Sequence, residues 1–123
     1  MVTTTTEEVL RRLALQDESV LPTLLAMRME SNEGWLQQKT QAIARVSALI
    51  ALDASTVSYQ AAVIDALACG VTTDEVVGTL IAVAPIVGLA RVTSATPAIA
   101  LAMGYDLDKA FEQFDATANG TGQ

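Results

Sequence analysis

The chain of 123 residues contains no histidine, a single cysteine at position 69, and few aromatic residues, 4% in all. Each scarcity removes a class of chemistry. Without histidine there is no imidazole base, so neither a Ser-His-Asp nor a Cys-His apparatus can be assembled. One cysteine makes no zinc finger, no CxxC redox pair and no disulfide within one chain. Charge is sparse too, at 17% of residues, and its balance is acidic, with 7 Lys+Arg against 14 Asp+Glu for a net −7. A chain with a pI near 4.3 offers no basic patch to nucleic acid or to an anionic membrane, and neither is an expected partner.

What is abundant is small apolar side chain. Hydrophobic residues make up 51% of the chain and the mean hydropathy is +0.39, carried by alanine, valine, leucine and isoleucine. That composition suits helices that pack closely in one domain, long enough to bury roughly two-thirds of its unfolded surface. The main charge-free run, Val76 to Ala90, is 15 residues long and contains Gly78, Pro85 and Gly88. A membrane-spanning helix needs about 20 apolar residues, and Arg91 follows at once. The opening MVTTTTEEVLRR has neither the basic start nor the apolar stretch of a signal peptide. A cytoplasmic location is therefore expected. Helices that are apolar all round must be covered by something, and if not by lipid then by another subunit. Homo-oligomerisation is the first inference that the composition supports.

Punctuation and periodicity predict an all-α bundle of about six to seven helices and no strand. Thr5 and Glu8 have capping-box spacing, opening a helix over 7–15 with Val9, Leu10 and Leu13 inward. Asp17 or Ser19 caps a second over 20–31, with Pro22 tolerated in its first turn. A third runs over 37–52, with Ile43, Val46, Ser47 and Ile50 as the inward stripe and Gln41 and Arg45 facing away. Lys39 lies one turn before Ile43, which predicts a covered stem and an amine drawn towards a partner. Asp53 is expected to cap a helix over 54–69, closed by Gly70. Thr72 and Glu75 repeat the capping-box spacing and open a helix to Val87, which Gly88 interrupts. The next segment, 89–103, holds Pro97, predicting a kink or a restart. Gly104 stops it, Asp106 caps a last helix to about Ala116, and residues 117–123 form a disordered tail.

Four stretches in this order resemble the carboxymuconolactone decarboxylase family, whose fold is that of the alkyl hydroperoxidase D proteins. LQQKTQAIARVSALIAL (36–52) is similar to the family's L-x-x-K-T-R-E-L helix. AAVIDALACGVTTDEVVGTL (61–80) is similar to H-V-R-A-A-L-x-x-G-x-T-x-E-E-I-x-E-x-L, AVAPIVGLA (82–90) to A-V-Y-A-G-x-P, and ALAMGYDLD (100–108) to the domain's close. The resemblance covers residues 36–108 of a single domain and implies an all-helical subunit in homotrimers or homohexamers. It also marks what is replaced. The family's histidine falls on Ala62, the two cysteines of the hydroperoxidase branch on Ser55 and Ser58, and the relay glutamate on Ala42. A serine hydroxyl has no accessible redox chemistry and, without a base, is a poor nucleophile. The resemblance thus implies a member without the thiol, histidine and glutamate machinery, either a pseudoenzyme or one with a repurposed small-molecule pocket. A lyase of decarboxylase or isomerase type, acting on a small organic acid or lactone, is the family's natural chemistry. A non-enzymatic ligand-binding or assembly protein is the alternative.

If the pocket persists in shape, Ser55, Ser58, Tyr59, Ala62, Asp65, Ala66 and Cys69 share one face of the 54–69 helix. Tyr59 can then offer a phenolic donor and Arg91 can grip a carboxylate, which makes these two the candidate catalytic pair. Ser55, Ser58, Ala62 and Asp65 are the candidate binding residues. The plainer reading has the two serines satisfying backbone groups in a first turn, Tyr59 at a subunit contact, and Arg91 in a salt bridge to Asp65 or to another subunit. Cys69, at a helix C-terminus without a cationic neighbour, reads as an inert small residue. Asp74 and Glu75 occupy a helix's first turn, where carboxylates belong on electrostatic grounds. No metal site and no cofactor are expected. Trp35 anchors the start of a helix or sits at an interface, and Met27, Met29 and Met103 are core filler.

Overall fold

The computed structural model describes residues 6–15 and 35–107, and all regular structure among them is helical. The chain divides into two units, Met1–Gln37 and Gln38–Gln123. The described part of the first contains α1 (Thr6–Ala14). Its Glu7 and Glu8 lie in the first turn and Arg11 and Arg12 in the last, each charge on the favourable end of the helix dipole. Arg12 pairs with Glu8 one turn back at 2.9 Å. None of its residues is buried, so the inward placement expected for Val9, Leu10 and Leu13 does not hold. Leu10 and Leu13 are exposed. The expected Thr5 cap, the 20–31 helix with Met27 and Met29, and the chain beyond Leu107 lie outside the described residues.

The described residues of the second unit form a four-helix square made of α2 (Gln38–Ala51), α3 (Thr56–Ala68), α4 (Thr73–Val87) and α5 (Leu89–Ala102). Round the square the order is α2, α3, α5, α4, with α3 and α4 at opposite corners. Its core is small-chained, as the composition requires. Ala42, Val46 and Ile50 of α2 meet Tyr59, Val63 and Ala66 of α3, Val76 and Leu80 of α4, and Ala95 and Ile99 of α5. Met103 packs against this cluster, as expected of a filler. The stripe expected on α2 is off by part of a turn: Gln41 and Ala42 are buried, while Ile43 and Ser47 are only half-buried. Helix α2 touches α3, α4 and α5, so its covered arc is wider than a single heptad stripe. Gln41 keeps its polar end satisfied, accepting from Arg45 at 3.3 Å.

Three of these helices end in the same way. After α3 the amide of Gly70 donates to Leu67 and that of Val71 to Ala66. After α5, Gly104 donates to Leu101 and Tyr105 to Ala100. Both are Schellman closures with a glycine at positive φ, +92° and +93°. The third corrects an expectation. Asp53 does not cap α3; it closes α2, with its amide on Ile50 and that of Ala54 on Leu49. Asp53 takes φ 52°, a left-handed conformation that aspartate tolerates better than most non-glycine residues. The cap of α3 is instead Ser55.

Helix α4 opens on the expected capping box, with Thr72 Oγ1 accepting from the Glu75 amide at 3.1 Å and Glu75 Oε1 accepting from the Thr72 amide at 3.0 Å. The expected partner of Lys39 is this same Glu75, 2.9 Å away on the neighbouring helix. Pro85 and Pro97 both lie inside helices that continue through them. The carbonyls they leave without a helical donor belong to Ile81 and Thr93, both exposed to water. Gly88, at φ 94° and ψ 151°, is at once the last cap of α4 and the first of α5. Among the described residues no helix is long and apolar enough to cross a membrane.

Candidate functional site

The face of α3 singled out from the sequence is built from its first turn upward. Ser55 precedes the helix in extended conformation, and its hydroxyl accepts from the Ser58 amide at 3.3 Å. The two hydroxyls are 3.1 Å apart. That pairing satisfies an amide that the first turn otherwise leaves without a partner. Further along, the face divides. Tyr59 and Ala66 are buried, Ser58 and Ala62 half-buried, and Ser55, Asp65 and Cys69 exposed. The thiol of Cys69 is free and open to solvent, so it is small but does not fill the core.

Tyr59 is only 3% exposed, and its hydroxyl sits inside the α2–α3 turn. It donates to the Leu49 carbonyl at 3.1 Å and accepts from the Ala54 amide at 3.2 Å. Leu49 and Ala54 are the two residues joined by the Schellman bond that closes α2, so the phenol reinforces that closure. Burial pushes its pKa above the ordinary 10.0; the Ala54 hydrogen bond draws it down, the charge of Asp53 raises it and that of Arg91 lowers it. Both charges therefore reach this end of the bundle. The Asp53 carboxylate accepts from Ser94 Oγ of α5 at 3.2 Å, which ties the turn to the fourth helix. Arg91 is exposed. Among the described residues the ion pairs are Arg12–Glu8 and Lys39–Glu75, so Arg91 and Asp65 are not joined.

A concavity lies beside this face. A groove of about 230 Å³ runs between the start of α3 and the end of α5, lined by Thr56, Pro97, Leu101, Tyr105 and Asp106 among others. It begins one residue after Ser55 but takes in none of Ser55, Ser58, Tyr59, Ala62, Asp65 or Arg91. Sequence reasoning missed its lining because it depends on how α3 pairs with α5. The one available signal was Tyr105, an aromatic directly after the helix-stopping Gly104. Among the described residues no group of three or more Cys, Asp or Glu side chains is placed to hold a metal ion. The Glu75 carboxylate is held below the ordinary range, by Lys39 first and by the Thr72 amide second, and both contacts belong to the frame of α4. Compared with family models, with curated proteins and with solved structures, the chain matches none.

Proposed function

We propose that this protein is a self-associating, all-helical scaffold of the carboxymuconolactone decarboxylase type that no longer uses the family's thiol and histidine chemistry and binds a small organic molecule. The observation that carries this reading is the serine pair. The resemblance puts the reactive thiols at Ser55 and Ser58, and these two side chains form the cap of α3. A hydroxyl held in a helix cap, with no base beside it, is not an activated nucleophile. The groove beside that cap supplies the ligand site, with the Tyr105 ring, the Leu101 and Pro97 side chains and the Asp106 carboxylate at its edge.

Two measurements test this. Peroxide with a thiol reductant should give no turnover; thiol-dependent turnover would refute the mapping of Ser55 and Ser58. Small carboxylic acids and lactones, screened by calorimetry or by line broadening in protein-observed NMR, should bind and shift the amides of Thr56 and Leu101. Leu101→Glu, which narrows the groove and adds a negative charge to it, should abolish that binding. Equal binding by parent and variant would move the site away from the groove.

A second reading, a decarboxylase or isomerase acting on such a molecule, has one observation in its favour. Arg91 is exposed, has no ion pair among the described residues, and its charge reaches the Tyr59 phenol. There Arg91 holds the substrate carboxylate, and Tyr59, whose proton is engaged by the Leu49 carbonyl, holds the neighbouring turn in place. Turnover unaffected in both Arg91→Ala and Tyr59→Phe sinks it.

A further inference from the structure

Charge is unevenly placed around the groove between α3 and α5. Its apolar lining comes chiefly from Pro97, Leu101 and Leu107, and its polar groups are the Thr56 and Tyr105 hydroxyls and the Asp106 carboxylate. Neither hydroxyl has a hydrogen-bond partner among the described residues, whereas Asp106 already has an interaction within the chain. No basic side chain among the described residues lines the groove. The cations of this unit are committed or distant. On α2, Lys39 is held by Glu75 at 2.9 Å and Arg45 by Gln41 at 3.3 Å. Arg91 precedes the α5 residues of the lining by six to ten positions, about 9–15 Å along the helix axis. That is beyond the roughly 8 Å over which exposed charges act at physiological ionic strength.

We propose that the groove takes its ligand uncharged, as a small molecule with an apolar body and a neutral carbonyl or amide head, and that it rejects both carboxylate and ammonium. The inference deepens the ligand reading above and rests on it. Size follows from volume. At the roughly 30 Å³ that a water molecule takes, 230 Å³ admits about seven or eight non-hydrogen atoms. The head is set by what can answer it. A carboxylate leaving water needs a cation or several strong donors in return. Here it meets two hydroxyls and, at the edge, a charge of its own sign. The net −7 of the chain adds repulsion at long range. An ammonium finds the Asp106 carboxylate already engaged, so pairing with it means giving up another contact. A hydroxyl both donates and accepts, which suits an amide, whose oxygen accepts and whose NH2 donates. The Leu101 and Pro97 side chains take the apolar body. A carboxylic acid then enters in its undissociated form, and its apparent affinity falls about tenfold for each pH unit above its own pKa.

The test is a titration with hexanamide, hexanoate and hexylammonium, probes of one chain length and three charges, followed at the Thr56 and Leu101 amides by protein-observed NMR. At neutral pH hexanamide should bind about tenfold tighter than either ion. Lowering the pH towards the acid's own pKa should raise the affinity of hexanoate and leave that of hexanamide unchanged. Leu101→Lys sets a cation in the groove at a position 56% exposed, where circular dichroism should show the fold intact. Hexanoate should bind this variant about tenfold tighter than it binds the parent. Either ion binding the parent as tightly as hexanamide at neutral pH overturns the inference and leaves the groove standing as a ligand site. A hexanoate affinity indifferent to pH, or unchanged in Leu101→Lys, does the same. Failure of all three probes to shift either amide overturns the groove as the ligand site, and the inference with it.

Discussion

Replacing Tyr59 by phenylalanine removes one oxygen and leaves the ring in the core. The oxygen makes two hydrogen bonds, to the Leu49 carbonyl at 3.1 Å and from the Ala54 amide at 3.2 Å. Each is worth roughly 0.5–1.5 kcal/mol net. Neither backbone group is orphaned by the change, because Ala54 donates to Leu49 directly at 3.1 Å, so the larger penalty of an unpaired buried group does not apply. The expected loss is about 1–2 kcal/mol, and for a domain of this size about 4 °C of Tm for each kcal/mol. Urea and thermal unfolding at matched protein concentration measure it, with an unchanged m-value showing that the native compactness is kept. There is also a signature in pH. The folded-state pKa of Tyr59 is raised above 10.0, so the neutral phenol's contribution is complete below pH 10 and is lost as pH rises towards the folded value. The phenylalanine variant should lack that part of the alkaline decline. A variant as stable as the parent, at neutral and at alkaline pH, would refute the placement of the hydroxyl inside the turn.

Two other perturbations address the frame. Glu75 is held below its ordinary value near 4.5 by Lys39 and the Thr72 amide, so its stabilising effect is present above that value and is lost as pH falls through the depressed one. Glu75→Gln should flatten the acid limb of a pH-stability curve, and an unchanged limb would mean that the Lys39 contact contributes nothing in solution. Gly88→Ala should destabilise by about 1–3 kcal/mol through backbone conformation alone, since φ is 94° and no atom lies within 4 Å of the added carbon. Chemical denaturation reads this directly, and a neutral result would mean that the corner adopts another conformation.

Most element boundaries are legible because they are written in single residues with local physics. Thr72 and Glu75 declare the start of α4, Gly70 and Gly104 the ends of α3 and α5, and Gly88 the corner between α4 and α5. Lys39, an amine on an apolar stripe, announces a partner, although its identity as Glu75 depends on how α2 meets α4. Asp53 misleads because aspartate before a helix usually caps it; only the tertiary turn reveals it in a position that glycine normally takes. The α2 stripe shifts since periodicity locates the centre of one face and not the width that three neighbours cover. The serine pair can be read either as a pocket or as a cap from sequence, and the hydrogen bond from the Ser58 amide to Ser55 displays the cap. The groove is invisible there, because it forms between helices that are some forty residues apart along the chain.

The single-residue corner at Gly88 also bears on how this chain can change length. The turns at 52–55 and 69–72 place spare residues between helices, so an insertion there can be absorbed as loop. Gly88 leaves none, since it closes α4 and opens α5. One residue added at this corner has no loop to enter, so it must shift the start of α5 against the end of α4 or abandon the Gly88 conformation. Either way Ala95 and Ile99 lose their seating in the core, so length is varied at least cost at the outer ends, before Thr73 or after Ala102.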